Sequence, residues 1–143
     1  MKWNGSAWSL VGSGALNPSG GWAAHPWLAT DGTSLYLAFE LQAKLGAYSK
    51  GYVFKFDGAA WTQLGVDLNA DHNVGSVNDI VLAYVPGTST LRAVWGETTE
   101  GSLQQIYQAS WNGTNWSTSP SAPVSPGLAP APAAIFAKLV LQK

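Results

Sequence analysis

The chain has 143 residues, enough for one domain with a sizeable core, and its seven basic and eight acidic side chains leave a formal net charge of −1. Charged residues make up only 10% of it, against roughly 25% in typical soluble proteins. The scattered cations give no electrostatic footprint for nucleic acid or an anionic membrane, and the lack of cysteine excludes disulfides, thiolate metal sites and thiol catalysis.

The first element is a hairpin, Trp3-Asn4-Gly5-Ser6-Ala7-Trp8, and the chain writes it again as Phe56-Asp57-Gly58-Ala59-Ala60-Trp61 and Trp111-Asn112-Gly113-Thr114-Asn115-Trp116. Each copy sets two aromatics around an Asx-Gly turn that requires a positive φ. The second aromatics are spaced by 53 and then 55 residues, slightly above the usual length of a propeller blade and unlike helical repeats. Positions 19 beyond each second Trp are Trp27, Ile80 and Ile135, which open short apolar runs of buried-strand type. Two of these runs, 27–32 and 80–87, lead through Gly-containing turns into predicted strands at 35–40 and 91–97. Looser polar connections then lead to strands at 51–56 and 105–111, which feed the repeated hairpins.

The expected fold class is therefore all-β, with antiparallel four-stranded sheets arranged as β-propeller blades. Residues 3–12 form an orphan outer strand, 27–65 and 79–118 two complete blades, 119–134 a Pro/Ala/Ser-rich loop and 135–142 an orphan inner strand. All belong to one repeat domain. Tyr52-Val53-Phe54-Lys55-Phe56-Asp57 followed by Trp61-Thr62-Gln63-Leu64-Gly65 resembles the second half of a kelch-type repeat, as in kelch and galactose-oxidase-like propellers. The Trp-Asn-Gly hairpins are also similar to those of secreted bacterial propeller repeats. The kelch Gly-Gly pair is replaced by Phe39-Glu40 and Trp95-Gly96, and no sialidase-type Asp-box is present. The resemblance implies the fold and an extracellular location, and it leaves the activity open.

No apolar run approaches the roughly 20 residues of a membrane helix, and Met1-Lys2 leads into the first repeat without a signal-peptide core. The expectation is a soluble chain without membrane insertion, any export signal having been removed before Met1. Function on a rigid scaffold sits on long loops, which places a ligand site on the face carrying the long connections between and within blades. Seven of the eight Trp residues, Trp3 and Trp8 among them, stand where another copy has a large apolar side chain, the pattern of inter-blade packing. Trp22 has no such counterpart, and beside His25 it could stack on a neutral sugar.

Asp71-His72 reads as a carboxylate-oriented imidazole or a solvated pair. Glu40 and Glu97 both follow the second strand of a blade, and two carboxylates are the minimum for glycoside hydrolysis at a suitable separation. Nothing in the sequence supplies a raised-pKa acid, so no catalytic residue is assigned. Asp67 to Asp71 offers alternate oxygen ligands but lacks the Gly and closing Glu of an EF-hand, so neither metal nor cofactor is expected. Asn4, Asn112 and Asn115 begin glycosylation sequons, which act only in a eukaryotic secretory host. The leading functional expectation is a non-catalytic binding or display module of a secreted protein, with neutral glycan as ligand. A structural, self-assembling subunit comes second and a glycoside hydrolase third. The assembly expectation rests on unpaired ends, with Ile135, Phe136, Leu139 and Leu141 at one and Trp3 and Trp8 at the other. These would be covered by further blades or by strand donation from another copy of the chain.

Overall fold

Each copy of the aromatic motif closes its hairpin with the same bonds. Asn4 Oδ1 accepts the backbone N–H groups of Ser6 and Ala7 at 2.9 Å, Asp57 Oδ1 those of Ala59 and Ala60 at 2.9 Å, and Asn112 Oδ1 those of Thr114 and Asn115 at 2.9 and 2.7 Å. Gly5, Gly58 and Gly113 follow with φ of 103, 102 and 102°, a conformation that glycine alone adopts at little cost. The flanking rings meet tilted in all three copies, with centroids 5.6, 5.1 and 5.4 Å apart.

A computed structural model describes residues 1–12, 14–17, 21–99 and 104–117. The expected strand carrying Ile135, Phe136, Leu139 and Leu141 and the Pro-rich stretch before it lie outside these residues. The described chain is all-β and antiparallel. The first hairpin pairs β1 (Lys2–Trp3) with β2 (Trp8–Ser9). A four-stranded meander follows, made of β3 (Trp22–Thr30), β4 (Leu35–Gln42), β5 (Lys50–Phe56) and β6 (Trp61–Gln63). The second sheet contains β7 (Ser76–Val85), β8 (Thr90–Thr98) and β9 (Gln104–Trp111), and its fourth place is held by a single bridge between Trp111 and Trp116. No α-helix occurs among the described residues.

The first strand of each sheet starts earlier than expected, at Trp22 rather than Trp27 and at Ser76 rather than Ile80. Both strands run through a bulge, between Ala24 and Trp27 in β3 and between Asn78 and Val81 in β7. A bulge absorbs an unpaired residue and lets pairing resume beyond it, so Trp22 and His25 lie in a strand and not in a loop. His25 and Asp79 occupy the bulges with φ of 49 and 50°, a region in which His, Asp and Asn are the most tolerant non-glycine residues. Trp27 pairs with Ala38 and Val81 with Val94, which makes Val81, not Ile80, the counterpart of Trp27.

Alternation along β4 gives the first sheet two different faces. Tyr36, Ala38 and Val53 pack against Leu82, Leu91, Ala93 and Trp95 of the second sheet in one continuous core. Tyr36 stacks on Tyr84 at 6.3 Å, and the Trp27 indole N–H donates to the Leu82 carbonyl at 2.8 Å. On the reverse face Phe39, Leu41 and Phe54 form a smaller cluster with Leu16 and Trp61. The outer strands are joined by a repeated bond. Trp61 Nε1 donates to the carbonyl of Val11, three residues after Trp8, at 3.0 Å. Trp116 Nε1 donates to that of Leu64, three residues after Trp61, at 2.8 Å. Gly12 and Gly65 come next with positive φ, and a Cβ on Gly12 would lie 2.7 Å from the Trp61 ring. Glycine there makes room for the indole.

Trp116→Phe keeps an aromatic side chain but removes the indole N–H and its hydrogen bond, and it should lower the free energy of unfolding by at least about 1 kcal/mol in urea denaturation. The turn after β3 predicts a pH dependence. Asp31 accepts the N–H groups of Ser34 and Thr33 at 2.6 and 2.8 Å and the Tyr36 hydroxyl at 2.7 Å. These bonds, that of Ser34 foremost, lower its pKa from 3.8 to about 2, and burial followed by the Asp31 contact raises Tyr36 to about 12. A carboxyl with a depressed folded pKa contributes stability that is present above its ordinary value and is lost as the pH falls through the folded one. Unfolding midpoints should therefore drop between pH 3.8 and about 2, and Asp31→Asn should be less stable at neutral pH while losing less on acidification.

Candidate functional site

Glu40 and Glu97 lie near the end of the second strand of each sheet, yet they are not equivalent. Phe39 pairs with Tyr52 and Trp95 with Tyr107, so Glu40 matches Gly96 in register while Glu97 matches Leu41. The two carboxylates therefore leave opposite faces of their sheets. Glu97 is fully buried. Its oxygens accept Ala70 N–H at 2.7 Å, Asp71 N–H at 2.9 Å and the Trp95 indole N–H at 3.0 Å, and a Cβ on Gly75 would fall 1.9 Å from one of them. This side chain fixes the loop between the sheets and has no access to a substrate, so Glu40 and Glu97 do not form the carboxylate pair that glycoside hydrolysis needs.

His72 bonds Asp67, at 2.7 Å, rather than its neighbour Asp71. Asp71 Oδ1 accepts Asn73 and Val74 N–H groups within its own turn, and these bonds lower its pKa. The Asp67 to Asp71 stretch acts as a structural plug. Buried Asn69 accepts Gly51 N–H and donates to the carbonyls of Ser49 and Gly75, and Lys50 Nζ donates to the His72 carbonyl. Trp22, at the start of β3, is 60% exposed.

The bulges bring together a group that the sequence did not single out. His25 Nδ1 lies 2.9 Å from Glu40 Oε1, and the same oxygen accepts Asp79 N–H at 2.6 Å. One donor atom each from His25, Glu40 and Asp79 lie within 4.8 Å of one another. Asp79 was missed because its partners are 39 and 54 positions away. The available signal was its place two residues before Val81, as His25 stands two before Trp27.

The reverse face of the first sheet is also open. Strand pairing matches Leu28 with Leu82, Leu35 with Leu91, Leu37 with Ala93 and Phe39 with Trp95. Leu28 and Leu35 are 63% and 39% exposed, whereas their counterparts Leu82 and Leu91 are 3% and 2%. A cavity of about 370 Å³ opens on this face beside Leu16, Ala24, Pro26, Leu37 and Phe39. The β1–β2 hairpin carries Trp3 and Trp8, 49% and 62% exposed, so these two are not core residues here, in contrast to fully buried Trp95.

No family model, curated protein or solved structure matches the chain. The geometry of the site thus carries the functional reading.

Glu97→Ala should cost about 3 kcal/mol in equilibrium unfolding, because it strands the buried Trp95 indole N–H and two partly buried backbone donors. His72→Ala, at an exposed surface pair, should stay within about 0.5 kcal/mol of the parent.

Proposed function

We propose that the chain is a structural, self-assembling section of a β-propeller. The two sheets are neighbouring blades with β3 and β7 innermost, and the bare face of the first is covered by segment 135–141 of a second copy. The contrast between Leu28 and its counterpart Leu82, 63% against 3% exposed, carries this reading. The same register position is buried where a described sheet packs on it and open where, among the described residues, none does. Burying a leucine side chain contributes about 2 kcal/mol, and a bare sheet face of this size invites association.

The choice of occupant follows from the repeat. Within the chain β3 packs against β7, so the strand needed against the open side of β3 is the inner strand of a preceding blade. Segment 135–141 reads Ile-Phe-Ala-Lys-Leu-Val-Leu and begins 19 residues after Trp116, the spacing that separates Trp8 from Trp27. The exposed β1–β2 hairpin occupies the outer position of that same blade. Copies joined in this way form a ring if the rotation closes and a filament if it does not.

Deleting residues 135–143 and measuring mass in solution tests the proposal. The intact chain should form multimers, and the truncated chain should be a folded monomer by circular dichroism. Two folded monomers would rule out strand donation. A second reading, display of a neutral-glycan site, rests on the exposure of Trp22, whose ring offers an apolar platform for a sugar face. Trp22→Ala should abolish any binding detected on a glycan array, and an empty array at high protein concentration removes that reading.

A further inference from the structure

The bulge cluster is built differently from a surface ion pair. We propose that His25, Glu40 and Asp79 form an open site for a divalent transition metal, with Zn²⁺ as the expected occupant, that ties the first sheet to the second. Two sheets contribute: His25 from β3 and Glu40 from β4 on one side, Asp79 from β7 on the other. The Glu40 side chain is 9% exposed and that of His25 62%, so the cluster has a buried floor and an open mouth.

Three features of the donor set point to a cation. Its charge is the first, since two carboxylates converge within 4.8 Å and, among the described residues, neither Lys nor Arg pairs with them. Carboxylates gathered and partly buried in this way need a positive partner. The second is spacing. His25 Nδ1 and Glu40 Oε1 stand 2.9 Å apart as a hydrogen-bonded pair and need to part only slightly to reach the about 3.0 to 3.4 Å between two ligand atoms that lie about 2.1 Å from one ion. The third is a free acceptor. Both hydrogen bonds to Glu40 use Oε1, and Oε2 takes none among the described residues. No buried side-chain oxygen in the described residues lacks a partner, so Oε2 reaches solvent and is open to a ligand.

An imidazole nitrogen with two carboxylate oxygens suits Zn²⁺, and three protein ligands leave a position for water. The bulges are what make this possible. They turn equivalent positions of adjacent sheets, His25 and Asp79, toward a common point at positive φ, while the register that puts Glu40 where the second sheet has Gly96 supplies the floor. The site stands on these distances and does not require the chain to assemble.

Equilibrium dialysis of the untagged chain against ZnCl₂ tests the inference, with CoCl₂ as an optical probe. One Zn²⁺ per chain should bind, thermal unfolding should shift upward with metal and return with EDTA, and Co²⁺ should show a visible d–d band. His25→Ala and Asp79→Asn should each weaken binding by at least roughly tenfold and abolish the band, while His72→Ala, which alters the other imidazole beside a carboxylate, should leave both unchanged. Absence of binding at millimolar Zn²⁺ overturns the inference. So does a loss of binding in His72→Ala equal to that in His25→Ala, or retention of the band in both cluster variants.

Discussion

The structure depends on the contact between the front of one sheet and the back of the next. Tyr36, Ala38 and Val53 from the first sheet meet Leu82, Leu91, Ala93 and Trp95 from the second, and burial of these side chains is the dominant favourable contribution available to so small a domain. The polar groups at this boundary serve the same contact. The Trp27 indole bonds the Leu82 carbonyl, Trp116 bonds that of Leu64, and Glu97 gathers the loop that lies between the sheets. Each leaves a buried donor or acceptor satisfied, which apolar packing alone would not achieve.

A contact of this kind is directional. The first sheet seats one face on the second, and its reverse face has no partner sheet among the described residues. The exposures of Leu28, Leu35, Trp3 and Trp8 express that asymmetry in side chains. The indole-to-carbonyl bond has the same polarity, running from a later copy of the motif to the residue three beyond the Trp of an earlier one. The proposed assembly by addition of like units and the proposed metal site at the bulges draw on different parts of one repeat. The first follows from the apolar faces, and the second from what the inner strands carry where they depart from regular pairing.

Much of this order was legible in the sequence because it is local or periodic. The three Asx-Gly hairpins could be read from a six-residue pattern, and the strands ending at Phe56 and Trp111 from their place feeding those hairpins. What could not be read depends on register. Glu40 and Glu97 sit at similar places in linear sequence, but a one-residue offset sends them to opposite faces, and side-chain direction in a strand inverts with every such slip. The bulges that extend β3 and β7 were hidden for a related reason. Gly-rich or polar residues before an apolar run mark a loop by composition, whereas pairing of Trp22 with Gln42 and Ser76 with Thr98 is set by the neighbouring strand.

The central claim is that the bare face of the first sheet is an interface, and a charge placed at its centre probes this without disturbing the core. Leu28 is exposed in the single chain, so Leu28→Glu should leave the fold intact. Mass measured by light scattering across a concentration series should show multimers for the parent and a folded monomer for the variant. A parent that stays monomeric at every concentration, or a variant whose multimers match those of the parent, would contradict the account.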